Sequence, residues 1–197
     1  MRNVAILLFD EVEVLDFAGP FEIFSVTGRR NGGEVPFNVY TVAEKTPISA
    51  RNGLSVNPTY LLDNCPPPDI IVVPGGYGTR RAMHEAHIID WVQRMDARTE
   101  LTLSVCTGAL VLGKAGLLDK LKATTHYGAY DLLQETVPTA SVQRGVRYVD
   151  NGRIITSAGV QAGMDMSLHV IARLLGRDVA EETARYIEYE WNEITRQ

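Results

Sequence analysis

The amino-acid sequence predicts one α/β domain whose mainly parallel, doubly wound sheet carries helices on both faces. Three observations lead there. Apolar runs of strand length, VAILLF and DIIVV among them, alternate with segments whose apolar residues recur at helical spacing. Those runs are continuously apolar instead of alternating with polar residues, as strands covered on both faces must be. The chain has 197 residues, 45% of them hydrophobic and 22% charged, which suffices for one substantial core. No internal repeat, low-complexity segment or linker divides residues 1–197.

The first strand is expected over Asn3–Phe9. A helix over Asp16–Phe24 follows, with Pro20 in its first turn, where a missing N–H costs little. Phe37–Ala43 reads as the second strand. Turn signals at Thr46-Pro47 and Asn52-Gly53 make Lys45–Asn64 a short hairpin-like excursion. Asp69–Val73 is a buried strand, delivered by Pro66–Pro68 and ended by Pro74-Gly75-Gly76. His87–Ala97 predicts a helix, Leu101–Val105 a strand and Thr107–Ala115 another helix. Lys122–Thr125 is extended and Ala129–Thr136 helical. Val146–Val149 and Arg153–Ser157 flank Asp150-Asn151-Gly152, a hairpin turn in which Asn-Gly tolerates positive φ. Met164–Leu175 and Val179–Tyr189 close the chain as amphipathic helices.

Composition excludes some functions. A net charge of −5 argues against a nucleic-acid partner, since phosphate binding needs a clustered basic surface. No stretch is apolar for long enough to cross a bilayer, and the start MRNVAILLFDEVEV lacks the cleavage site of a secretory signal. A cytoplasmic protein with neither nucleic acid nor membrane as partner is expected. Cys65 and Cys106 are the two cysteines, in a chain too large to need disulfide staples. Free thiols are the simpler reading, although a bridge between them stays open.

Doubly wound sheets gather their reactive groups at the carboxyl ends of the strands. Asp16 after the first strand, Gly75-Gly76 after DIIVV and Cys106 after LTLSV all fall there. Cys106 must reverse the chain between strand and helix, and Gly108 and Ala109 let that helix approach the sheet, as in a nucleophile elbow. The N–H groups and dipole of the helix favour a thiolate, so a depressed pKa and a nucleophilic sulfur are expected. The pattern S-V-C-T-G also allows a buried, inert cysteine. Cys65, beside three prolines, has no such setting.

Asp16, held near a thiolate and shielded from water, would have a raised pKa and could shuttle a proton. Asp is equally suited to cap a helix N-terminus. Glu22 is a second choice for the same cluster. The N–H groups of Gly75 and Gly76, with that of Thr107, are expected to form an anion-stabilising hole, unless Pro-Gly-Gly merely ends the strand. The Thr107 hydroxyl is a candidate to orient water or substrate, or else a helix cap. His126 ends the KATTH segment, where an isolated histidine also fills structural slots. His84, His87 and His169 have no metal-ligand spacing, so neither metal nor cofactor is expected.

The segments VAILLFDEVEVLDFAGPFEIF, DIIVVPGGYGTR, LSVCTGALVLGKAGLLDKLKATTHY and TSAGVQAGMDMSLHVIARLLG resemble the ThiJ/PfpI superfamily, which shares the class I glutamine-amidotransferase-like fold, over nearly the whole chain. Within it they look most like isonitrile hydratases and the amidase-like domains of AraC-type regulators. The resemblance implies a flavodoxin-like sandwich, a nucleophilic Cys106, Asp16 as its acidic partner, His126 near the cysteine and a homodimer. Two departures narrow the chemistry. Thr107 stands where PfpI-type proteases have histidine, and Ser157-Ala158-Gly159 replaces the amidotransferases' His-x-Glu. Proteolysis and glutamine hydrolysis therefore fit poorly.

The expected function is that of a lyase: hydration of an isonitrile to an N-substituted formamide, Cys106 attacking the terminal carbon and Asp16 supplying the proton. Redox or ligand sensing through Cys106 and glyoxalase- or deglycase-like aldehyde chemistry are the alternatives. A regulator's ligand domain is disfavoured, because the sequence ends at Gln197 without room for a helix-turn-helix.

Overall fold

The structure, a computed structural model, describes residues 1–28 and 35–191. β1 (Arg2–Leu8) is fully buried from Val4 to Leu7, which its continuous apolar run requires. It feeds α1 (Val14–Val26), then β2 (Phe37–Ala43). The excursion that follows forms the antiparallel pair β3 (Ile48–Ser49) and β4 (Ser55–Val56), then β5 (Tyr60–Leu61). β6 (Ile70–Val73) leads through α2 (Thr79–Ala82) and α3 (Ala86–Asp96) to β7 (Leu101–Ser104) and α4 (Gly108–Lys114). β8 (Lys122–Ala123), α5 (Tyr130–Thr136) and β9 (Ser141–Val142) precede the hairpin of β10 (Tyr148–Asp150) and β11 (Ile154–Ser157). α6 (Ala162–Leu175) and α7 (Arg177–Tyr186) complete the described chain.

The main sheet has the order β10-β11-β7-β6-β1-β2-β5, parallel throughout except for β10 against β11. Helices α1, α6 and α7 pack together as one layer, while α4 gathers α2, α3 and α5 into another. This is the predicted doubly wound, flavodoxin-like α/β architecture, and the hairpin expected over Val146–Ser157 forms one edge of the sheet. Strand order reverses between β1 and β6, the switch point at which such folds place their ligands. The register pairs Val4 with Ile70 and Ile70 with Leu101, so β1, β6 and β7 end side by side.

Several boundaries differ from the sequence expectation, each for a local reason. α1 starts at Val14, two residues early, so Pro20 lies inside the helix and Glu13 takes the N-cap position. Asp16 is therefore not the cap. α4 starts at Gly108, with Thr107 as its N-cap residue. β5 adds a parallel edge strand beside β2, which turn signals alone could not reveal. Lys122–Thr125 is a strand only over Lys122–Ala123, pairing with β9 in a separate small sheet.

Gly108 makes the geometry of the site possible. A Cβ there would stand 2.0 Å from the Val73 carbonyl oxygen, so only glycine lets α4 start directly against the end of β6. The turn between β7 and α4 is thereby pressed onto the carboxyl edge of the sheet.

Candidate active site

Cys106 occupies that turn. Its backbone is left-handed, with φ of 56°, a conformation that costs a non-glycine residue roughly 1–2 kcal/mol. Surrounding bonds hold it there. The Cys106 N–H donates to the Ala158 carbonyl at 3.1 Å, and the Thr125 hydroxyl donates to the Cys106 carbonyl at 2.8 Å. Such over-determined strain is characteristic of functional turns. The residue is 6% exposed, so its thiol faces a nearly water-free space.

Asp16 meets it there from the first turn of α1. Its carboxyl is fully buried, and its Oδ2 accepts a hydrogen bond from the Gly75 N–H at 3.0 Å. Oδ1 is equally shielded from water and has no hydrogen-bond partner of normal geometry. Burial raises the Asp16 pKa to about 7. The Gly75 N–H, the Cys106 thiol and the Val160 N–H oppose that rise, while the charge of Glu13 adds to it.

The sulfur departs from expectation. Burial first, and then the Asp16 charge, push the Cys106 thiol up to about 12. The Thr107 N–H and hydroxyl favour the thiolate but do not offset this. A seven-residue helix end cannot outweigh desolvation beside a carboxylate. The depressed pKa anticipated from the helix dipole is therefore corrected. Burial thus disfavours the charged forms of both the Cys106 thiol and the Asp16 carboxyl.

The expected anion hole is also differently built. The Gly75 N–H is committed to Asp16, and the Gly76 N–H donates to Thr107 Oγ1 at 3.0 Å. Of the three donors proposed, the Thr107 N–H is the one that acts on the sulfur. The buried Thr107 hydroxyl also lies 3.1 Å from the Gly76 carbonyl and 3.0 Å from the Thr79 hydroxyl. It clips the Pro-Gly-Gly turn to the start of α4 and has no free lone pair aimed at a substrate.

His126 sits partly exposed beyond β8, its Nδ1 accepting from the Gly128 N–H at 3.2 Å. Its ring lies 4.3 Å from that of Tyr127 and packs against Gly159. Glu22 is exposed and does not join the cluster. Six residues along a helix place it about 120° around the axis from Asp16. Cys65 and Cys106 are both free thiols.

Thr125, Ala158 and Val160 escaped the sequence reading. A threonine just past a short strand carries no signal that its hydroxyl holds a nucleophile's carbonyl. Ala158–Val160 follow β11, another strand ending at the same edge, and that position was the available clue. Among the described residues, Glu44, Glu85 and His87 also bring possible metal-ligand atoms within 4.8 Å of one another. A search limited to histidine spacing could not find them. Here they pair locally, His87 with Glu44 at 2.6 Å and Glu85 with Arg81 at 2.9 Å.

Comparison with known proteins places the chain in a family. Residues 2–173 match the DJ-1/PfpI family. The isonitrile hydratase of Pseudomonas putida is 34% identical over 95% of this chain and 78% of its own length. The HTH-type transcriptional regulator CdhR of Pseudomonas aeruginosa is 34% identical over 90% of this chain, which spans only 52% of the regulator. The crystal structure of a ThiJ/PfpI family protein from Pseudomonas syringae superposes with a TM-score of 0.85 at 31% identity, covering 99% of this chain and 78% of that one. A cysteine-to-alanine variant of a DJ-1 superfamily protein from Salmonella typhimurium gives 0.82 at 25% identity, covering 97% and 100%.

Proposed function

Because the chain belongs to the DJ-1/PfpI family, we propose that it is a lyase hydrating an isonitrile to an N-substituted formamide through Cys106. The observation that carries this reading is the buried pair of Asp16 and Cys106, a carboxyl with one oxygen uncommitted to Gly75 beside a nucleophile that still holds its proton. The 34% identity to an isonitrile hydratase supports the substrate class.

The reaction fits that proton inventory. The sulfur adds to the terminal carbon of R–N≡C while its proton passes to Asp16, which returns a proton to the same carbon. The product is an enzyme-bound thioimidate, R–N=CH–S. Water then adds to this carbon with Asp16 as base, and Asp16 passes that proton to the imine nitrogen. The C–S bond breaks, the sulfur regains its proton and R–NH–CHO leaves. No electrons are exchanged and one water is consumed. A dry site strengthens each of these charge interactions.

A raised thiol pKa disfavours peroxide sensing, since the thiolate is the species that oxidises. A binding role without turnover is the second reading, because transcriptional regulators also match this chain, over about half of their own length. The reading includes residues 1–197 acting as one domain, a homodimer, and cytoplasmic residence with both thiols reduced. A panel of isonitriles, nitriles, amides and 2-oxoaldehydes tests the chemistry, with formamide from the isonitriles as the expected product. Turnover of 2-oxoaldehydes alone would replace the proposal with aldehyde chemistry, and binding without turnover would replace it with sensing. Light scattering at micromolar concentration tests the dimer, and a monomer would refute it.

A further inference from the structure

The segment Thr124-Thr125-His126 bonds to the Cys106 backbone and packs against the Gly159-Val160 turn. Thr124 and Thr125 are fully buried. Thr124 is fixed from two sides: its N–H donates to the Thr156 hydroxyl at 2.9 Å and its hydroxyl to the Gln143 carbonyl at 2.8 Å. From this anchored position the Thr125 hydroxyl reaches the Cys106 carbonyl at 2.8 Å. The next residue, His126, lies against Gly159 so closely that a Cβ there would stand 2.4 Å from its Cδ2. Gly159 leads into Val160, a β-branched residue held at φ of 50°, whose N–H acts on the Asp16 carboxyl. Two left-handed residues, Cys106 and Val160, are thus braced by neighbouring side chains of one short segment.

We propose that Thr125 and His126 are positioning residues: Thr125 locks the Cys106 elbow so that its sulfur faces Asp16, and His126 backs the left-handed Gly159-Val160 turn beside the same carboxyl. Neither touches the reacting atoms. His126 thereby acts through the backbone and not as a substrate ligand. The inference rests on reading Cys106 and Asp16 as the reacting pair. Its test follows the thiol itself, so it stands or falls separately from the isonitrile chemistry.

The test is the rate of Cys106 alkylation by iodoacetamide across the alkaline range, in a Cys65→Ser background, with thermal melts alongside. Removing the Thr125 hydroxyl lets the elbow relax and the sulfur leave the carboxylate, which makes the thiol more acidic. Thr125→Val is expected to be alkylated several-fold faster, and Thr125→Ser to keep the parent rate. The double-mutant cycle separates positioning from loosening. In an Asp16→Asn background, where no carboxylate charge remains, Thr125→Val should add no further acceleration. Equal acceleration with and without Asp16, or none in either, would overturn the role of Thr125. His126→Ala, at a partly exposed position, tests the other arm and carries the proposal if Thr125→Val does not fold. Weakening the Val160 N–H on Asp16 should move the carboxyl's limb of the pH–rate profile upward, with Glu13 as the other charge acting on it. An unmoved limb would overturn the brace.

Discussion

The Gly75 N–H donates to Asp16 Oδ2 at 3.0 Å and thereby fixes which oxygen of the carboxyl remains free. Oδ1 is left without a partner in a fully buried position beside the Cys106 thiol. The turn after β6 and an α1 carboxyl, distant in sequence, together leave one carboxyl oxygen uncommitted to Gly75 beside the nucleophile. The chemistry proposed above depends on that acceptor, and its cost to stability can be measured.

Asp16 lowers stability as the pH rises. Its pKa moves from 3.8 to about 7 on folding, so ionised Asp16 costs the native state on the order of 4 kcal/mol relative to the neutral form. The favourable contribution is complete below about pH 4, declines through about pH 7 and is absent above it. Asp16→Asn keeps the acceptor for Gly75 without titrating. Urea unfolding between pH 4 and 8 should show wild type losing stability while the variant stays flat in comparison, and the variant should be the more stable at the upper end. Parallel pH curves for the two proteins would contradict this account of Asp16.

The same variant should change the thiol in the opposite sense to its activity. The Asp16 charge is the second-largest cause holding the Cys106 pKa up, after burial. Asp16→Asn should therefore make Cys106 more acidic and faster to alkylate near neutral pH, while abolishing hydration for want of a proton acceptor. In wild type the alkylation rate should keep rising beyond pH 9 without a plateau. A plateau below pH 8 would mean that the thiolate is already formed in the resting protein.

Thr107→Val should be chiefly a stability variant. It leaves the buried Gly76 N–H without its acceptor and removes the clip to Thr79, a loss of about 1–3 kcal/mol. The Thr107 N–H that faces the sulfur is retained. A clear fall in melting temperature with only a modest fall in kcat is expected. A large loss of kcat at unchanged melting temperature would return the hydroxyl to the catalytic step.

The sequence was most legible where physics is local. Continuous apolar runs such as VAILLF gave the buried strands, and Asp150-Asn151-Gly152 gave the hairpin. The convergence of Asp16, Gly75-Gly76 and Cys106 followed from strand ends sharing one edge of the sheet. What resisted was set by tertiary contact. The dipole argument for Cys106 omitted desolvation and the facing carboxylate, which dominate once the elbow is buried. The donors of Gly75 and Gly76 looked free because their acceptors, Asp16 and Thr107, lie 59 and 31 residues away. Thr125 and Val160 act through one hydroxyl and one backbone N–H, and neither leaves a pattern in the chain.

The most direct measurement is formamide production from an alkyl isonitrile by wild type and Cys106→Ala, each confirmed as folded by its thermal melt. Replacing the thiol deletes one buried sulfur and spares the backbone bonds to Ala158 and Thr125, so the fold should survive. The account predicts formamide from wild type, none above background from the variant, and, on rapid quenching, a Cys106 adduct heavier than the protein by one whole isonitrile. Undiminished turnover by Cys106→Ala would contradict the covalent mechanism.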